Sequence, residues 1–397
     1  AQVAAPAAAR GIVGAAVTDA PTTDATFRYR TFEWRTSCAE TYDYEYIIAQ
    51  QPAGGSTARN ALSAAEERLP RPTSGRSVIL VPSVSLLCNG KEEMRPLATL
   101  LSQRGHRCYM LEWPGWTSDS QVNFAMVRCR VKELVPEYED FFCQALEHIA
   151  REEAAEARAG VGDGDAAVPP APRICVVGAG HAAVLAMRAL QTLRGWRGSE
   201  GGADPALDSL ESLVMLAPTW RMPRYGLLAR FLPPERASRL IGMTLHSDTR
   251  LSRIFQGAHF SARRFKRHFA HHRSPGKERL KAVAEWFFQR PRPYVQTDAA
   301  ALCGLLDPPG VEDAGGLAAE VAASAGDLRS GVLVVSTEVA GGRPHPSKEL
   351  ASALAARDGQ VRCIELTAQS ALPHESDTSA VQFALDGWLG DARQEPP

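Results

Sequence analysis

Residues 176–183 read VVGAGHAA and follow directly on the strand-like Arg173-Ile174-Cys175. A buried strand running through Gly-x-Gly into an apolar helix, here Val184-Leu185-Ala186-Met187, has the shape of a sharp strand-to-helix turn. In G-x-S-x-G sites such a turn presents an attacking serine. The third position of the turn in this chain is Gly180, which has no side chain to present. The local structure is thus tightly constrained, and the chemistry has to be read from the other segments that would surround the turn.

With 397 residues, 45% of them hydrophobic and 22% charged, the chain is large enough for one α/β domain with an insertion or for two domains. Lys and Arg number 44 against 45 Asp and Glu, which excludes the global positive field of a nucleic-acid binder and makes every charge argument local. The eight cysteines form no CxxC pair, and several sit in apolar strand-like runs. They read as reduced buried thiols, with no metal site and no cofactor motif. No apolar run reaches the 18 to 20 residues of a membrane-crossing helix. The first residues, rich in Ala and Thr with no acid before Asp19, read as an extended tail over 1–26 and fit the remnant of a processed organellar protein.

FRYRTFEWR and YDYEYIIAQ alternate as a pair of antiparallel strands. A strand SVILVPS, a helix EEMRPLATLLSQRG, a strand HRCYMLEWPG and a long helix interrupted near Pro136 follow, then a Gly/Asp/Ala/Pro loop over 160–172. After the VVGAGHAA unit comes the strand LESLVMLAPTW. Residues 221–329 break the rhythm, and it resumes with SGVLVVS, HPSKELASALAARDG, QVRCIEL and a terminal helix. Strands alternating with helices in this way predict a mostly parallel sheet flanked by helices, with core segments 27–220 and 330–397 separated by a helical insertion at 221–329.

These segments resemble the α/β-hydrolase superfamily from about Phe27 to Leu389. VILVPSVS stands at the oxyanion strand and loop, LEWPGWTSDS at the next strand and turn, and VVGAGHAA at the elbow. LAPTW follows the next strand, VLVVSTEVAG stands at the acid strand and TAQSALPHES at the histidine loop. APTW followed by RMP looks most like members from plant and algal plastids and cyanobacteria. The resemblance implies the α/β-hydrolase fold with a helical cap and, in an ordinary member, a Ser, then Asp or Glu, then His order of catalytic groups.

Aligned on that pattern, the nucleophile position is Gly180, the acid position Ala340 and the base position Ala371, while Pro82 and Ser83 occupy the oxyanion loop. A glycine relaxes a turn whose backbone a serine would strain, and a proline has no N–H to offer. His181, Glu338 and His374 are the candidates for relocated groups, with Ser83 as a further source of a hydroxyl. The expectation is therefore a pseudoenzyme: an α/β-hydrolase-like chain without its triad. The alternative is a serine-type esterase or lipase on acyl lipids with displaced groups. A hydroxyl or thiol beside an imidazole within bonding range at the carboxyl rim of the sheet would overturn the reading of a rim without catalytic groups, on which the pseudoenzyme expectation depends.

Between Thr249 and Arg292 twelve Lys and Arg face two acids, Glu278 and Glu285, with aromatics interleaved. In SARRFKRHFAHH, Phe265 and Phe269 share one helical face while Arg263, Arg264, Lys266 and Arg267 occupy the rest. Two readings stand. Either the aromatics cover the mouth of the sheet and the basic groups are its solvated side, or the segment binds a protein complex or an anionic membrane surface. A small-molecule or lipid ligand in the old cleft is a third class, and nucleic acid is disfavoured because no recognition motif accompanies the charge. The expected setting is a chloroplast assembly, with the protein soluble or peripherally bound to the membrane.

Overall fold

The computed structural model describes residues 25–51, 76–83, 91–114, 134–159, 173–200, 207–221, 231–237, 239–240, 307–339, 345–357, 360–368 and 372–391. Eight strands form one sheet: β1 (Thr26–Arg35), β2 (Thr41–Gln50), β3 (Ser77–Val81), β4 (Arg107–Met110), β5 (Ile174–Ala179), β6 (Leu210–Leu216), β7 (Gly331–Val339) and β8 (Val361–Ala368). Their order across the sheet is β1-β2-β4-β3-β5-β6-β7-β8. β2 runs antiparallel to both of its neighbours, and every other pairing is parallel. This order, with one reversed strand near its start and helices between the rest, is that of the α/β-hydrolase fold.

The helices beside these strands include, among the described residues, α1 (Lys91–Gln103), α2 (Leu134–Ala159), α3 (His181–Glu200), α4 (Ala314–Asp327), α5 (Pro346–Ala355), α6 (Pro373–Ser376) and α7 (Thr378–Asp391). The strand side chains alternate between two apolar cores, one on each face. Ile174 and Val176 of β5 join a core with Phe141, Phe142 and Leu146 of α2, Ala183 and Met187 of α3, Leu317 and Val321 of α4, and Leu350 of α5. Cys175 and Val177 of the same strand join the opposite core, with Met94, Leu97 and Leu101 of α1 and Val381, Leu385 and Leu389 of α7. Central strands buried on both faces read as continuous apolar runs, which is why SVILV and LESLVML could be taken as strands without an alternating pattern.

α2 runs unbroken from Leu134, so the interruption expected near Pro136 is absent. Pro136 falls in the first turn, where the missing N–H would have no helical partner anyway. The last part of the stretch 221–329 contains α4, started by the Asp313 side chain accepting from the Gly316 N–H at 2.7 Å. This helix packs into the same layer as α3 and α5. Of the cysteines, Cys108, Cys143 and Cys175 are buried free thiols as the sequence suggested, while Cys38 and Cys363 are exposed. Burial pushes the Cys175 thiol up to about 11 and the Cys143 thiol up to about 12, so neither is a nucleophile near neutral pH. Among the described residues no helix is long and apolar enough to cross a membrane.

β5 and α3 approach so closely that a Cβ on Gly178 would lie 2.7 Å from the Ala183 Cα and 2.9 Å from its nitrogen. These are backbone atoms, so relief requires the helix to move off the sheet. Gly178→Ala is expected to lower stability by about 1–3 kcal/mol, measurable by chemical denaturation as a lower midpoint with an unchanged slope.

Candidate functional site

The helix after β3 and the helix after β5 leave toward opposite faces of the sheet, α1 to one core and α3 to the other. Between these two strands the connections diverge. In open α/β sheets, ligands bind in the crevice this divergence leaves outside the carboxyl ends. Pro82 and Ser83 at the end of β3, Gly180 and His181 at the end of β5, and Ala217, Pro218 and Thr219 at the end of β6 stand on that rim.

Gly180 forms the turn itself, with φ +57°. Its N–H donates to the Leu216 carbonyl at 2.9 Å and its own carbonyl accepts from the Thr219 N–H at 3.3 Å, so β5 and β6 hold the turn from one side. A side chain at 180 would start 3.4 Å from the Ser83 Cβ and 3.5 Å from the Thr219 Oγ1. The space for a nucleophile survives, bordered by two hydroxyl residues, and glycine occupies it.

Ser83 is tied down completely. Its N–H donates to Glu93 Oε1 at 2.9 Å and its Oγ to Glu93 Oε2 at 3.0 Å. His374 Nε2 lies 2.6 Å from Glu93 Oε1, and neither of these two side chains is exposed at all. A carboxylate only accepts, so Nε2 carries the proton and donates. His374 Nδ1 has no hydrogen-bond partner among the described residues. A fixed carboxylate therefore takes up the Ser83 N–H, the loop donor expected to face an oxyanion, and the imidazole of His374 is sealed behind it. Pro82 contributes a carbonyl, which accepts from the Trp113 Nε1–H at 2.7 Å. The sequence reading missed Glu93. The available signal was a carboxylate in the first turn of α1, where the helix dipole favours it, on the same face as the buried Leu97.

His181 stands at the first position of α3, buried, with both ring nitrogens engaged. Nδ1 lies 3.0 Å from Thr219 Oγ1 and Nε2 lies 3.1 Å from Asp307 Oδ1. Asp307 fixes the tautomer: its carboxylate accepts from the Nε2–H, leaving Nδ1 as the acceptor and the Thr219 hydroxyl as the donor. A hydroxyl does stand beside an imidazole at the carboxyl rim, so the expectation that none would is corrected. Each of the three residues lies on a different element, separated by 38 and 126 positions in sequence, and only the fold brings them together.

Glu338 does not join this cluster. It is exposed on β7 and paired with Lys348 at 3.2 Å, and Glu365 on β8 shares the same ammonium at 2.8 Å. These two carboxylates hold the Lys348 ammonium above its usual range. His345 starts α5 by accepting from the Ser347 N–H at 3.2 Å. Ala340, Ala371 and the basic segment with Arg263, Arg264, Phe265, Lys266, Arg267 and Phe269 lie outside the described residues. Among the described residues no group of three His, Cys, Asp or Glu is placed to hold a metal ion.

No family model and no curated protein matches the sequence. Solved structures do match over most of the chain. A bromoperoxidase from Bacillus anthracis is 10% identical, with a TM-score of 0.49, and covers 91% of this chain and 100% of its own. A loop variant of a haloalkane dehalogenase from Bradyrhizobium elkanii is 11% identical, with a TM-score of 0.46, and covers 92% and 97%. Brefeldin A esterase, described as a bacterial homologue of human hormone sensitive lipase, is 12% identical, with a TM-score of 0.45, and covers 95% and 80%.

Two outcomes follow from this geometry. Gly180→Ser is expected to fold with a loss of about 1–2 kcal/mol, the cost of the left-handed backbone for a residue with a Cβ. It is not expected to raise ester hydrolysis above the parent, because the adjacent imidazole is already engaged by Thr219 and Asp307. Glu93→Ala strips the Ser83 N–H and the His374 Nε2–H of their acceptor, and a loss of about 3 kcal/mol or more in denaturant titrations is expected.

Proposed function

We propose that this chain has abandoned serine-type acyl transfer at its elbow and works by contact, as a binding or structural subunit of a protein complex or at an anionic membrane surface. The observation that carries the reading is Gly180 at the turn where a nucleophile would stand. The Glu93 carboxylate on the Ser83 N–H adds to it. A developing oxyanion beside that loop would meet a buried negative charge where catalysis needs donors. The contact surface is the basic segment between Thr249 and Arg292, within the helical cap insertion at 221–329, where twelve cationic side chains stand against two acids. The chloroplast is the proposed compartment, on the likeness of the APTW-RMP stretch to plastid proteins. A lipid or small molecule in the old cleft fits the same reading.

A second reading, an esterase on acyl lipids with displaced groups, is favoured by one observation, the 3.0 Å approach of Thr219 Oγ1 to His181.

Charge reversal at Arg263, Arg264, Lys266 and Arg267 tests the contact role. Flotation with vesicles containing anionic lipid, and affinity capture of the native protein from plastid extract, are the measurements. The substitutions are expected to abolish association in a salt-dependent manner, since exposed charges act over about 10 Å at 0.1 M salt. Association that ignores both the substitutions and the salt would refute the role of the segment.

A further inference from the structure

We infer that Thr219, His181 and Asp307 form an acyl-transfer site one strand over from the elbow, with Thr219 as the nucleophile toward carboxylic esters. This deepens the second reading above, an esterase with displaced groups, and rests on it rather than on the contact role.

The hydrogen-bond order is that of an activated nucleophile: hydroxyl on imidazole at 3.0 Å, imidazole on carboxylate at 3.1 Å. Because Nε2 keeps its proton and donates it to the carboxylate, the nitrogen facing the hydroxyl is the basic one. The imidazole is buried and held at both ends, whereas Thr219 is partly exposed on the crevice rim. A base fixed in place and a nucleophile open to the solvent side suit attack on an incoming carbonyl.

The backbone beneath Thr219 gives a second observation. Ala217, the first residue after β6, has φ +44°, a left-handed conformation that a residue with a Cβ adopts at a cost. The Ala217 N–H is anchored on the Val335 carbonyl at 2.8 Å and the Thr219 N–H on the Gly180 carbonyl at 3.3 Å, so both neighbouring strands enforce the turn. At the elbow the positive φ falls on a glycine, and after β6 it falls on an alanine. The strained turn of this rim is the one that presents Thr219. Gly180 contributes by having no side chain, which leaves the space beside the Thr219 hydroxyl, where a Cβ would stand in van der Waals contact at 3.5 Å, open to a substrate. The first turn of α3, which starts beside Thr219, directs N–H groups with no helical acceptor toward the rim, where a carbonyl oxygen gaining charge would need them.

The reaction balances without any further reagent. Thr219 Oγ bonds to the ester carbonyl carbon as its proton passes to His181 Nδ1, and the carbonyl π pair moves onto oxygen. Collapse breaks the bond to the leaving alkoxide, which takes the proton from His181 and departs as the alcohol. Water then repeats the sequence on the threonyl ester with His181 as base, releasing the carboxylic acid and restoring the hydroxyl. Asp307 stays ionised throughout and orients the ring.

The test uses the full chain with a fluorophosphonate probe, mass mapping of the adduct, and hydrolysis of p-nitrophenyl acetate. The adduct is expected on Thr219. Thr219→Val, which keeps the shape and removes the hydroxyl, is expected to lose the label and the turnover, and Thr219→Ser to keep both. Asp307→Asn is expected to lower kcat by roughly 10²–10⁴-fold at nearly constant KM, because an amide no longer fixes the tautomer. Thermal melts establish that each variant folds. Should Thr219→Val not fold, the Thr219→Ser and Asp307→Asn pair and the map of the adduct decide. No adduct on the folded chain, an adduct elsewhere, or parental turnover in Thr219→Val overturns the site while leaving the contact role standing. An adduct at Ser83 would overturn both the site and the silent elbow. Charge reversal in the basic segment that leaves association intact overturns the contact role alone.

Discussion

The closeness of β5 and α3 sets the geometry of the rest of the rim. With no Cβ at Gly178, the helix starts immediately at the end of the strand and lies flat on the sheet, its Ala182, Ala183 and Ala186 in the core of that face. That contact fixes the height of Gly180 and the position of His181 relative to β3 and β6. The divergence of α1 and α3 to opposite faces then opens the crevice where the carboxyl ends of β3 and β5 and the N-terminus of α3 meet. Burial of the central strands on both faces holds the frame rigid, so small polar groups on the rim keep their mutual distances.

Much of this frame was legible in the sequence because its signals are local. Apolar runs flanked by turn residues gave β3, β5, β6 and β7, and the Gly-x-Gly spacing gave the tight turn. Pro136 misled because a proline reads the same whether it breaks a helix or opens one, and only the start at Leu134 decides. The polar site was far less legible. Glu93 and His374 are 281 positions apart, and His181 and Asp307 are 126 apart. No periodicity announces such pairs, since their adjacency is a product of strand order. Thr219 was read only as part of a family-like APTW stretch, and nothing in that stretch announces that its hydroxyl reaches the ring of His181. Gly180, by contrast, could be placed at the turn from sequence alone because backbone geometry there is dictated by its immediate neighbours.

Two carboxylate–imidazole pairs flank the elbow, one fully buried and one with its carboxylate partly exposed, and their second ring nitrogens differ. Glu93 accepts from groups built into the fold: the Ser83 N–H, the Ser83 hydroxyl and the His374 Nε2–H. Among the described residues the second ring nitrogen of His374 faces no partner, in a place with no exposure. Through Nε2 and Glu93 the ring joins α6 to α1 and to the loop after β3. A buried pair of this kind is costly to break and adds little when formed, so it specifies an arrangement more than it stabilises one.

His181 has the same carboxylate on one nitrogen but a hydroxyl on the other, and the hydroxyl is partly exposed. Its ring can pass between two states without orphaning a donor, because a proton gained at Nδ1 would still face an oxygen, that of Thr219, while Nε2 keeps Asp307. The same chemical pair thus locks one side of the elbow and leaves a proton path on the other. Gly180 belongs to both: it gives the turn a backbone that costs little, and it clears the space between a serine that cannot be freed and a threonine that can. If chemistry persists on this rim, the strain at Ala217 rather than the turn at Gly180 marks where, since a fold keeps an alanine at φ +44° only when surrounding contacts over-determine it.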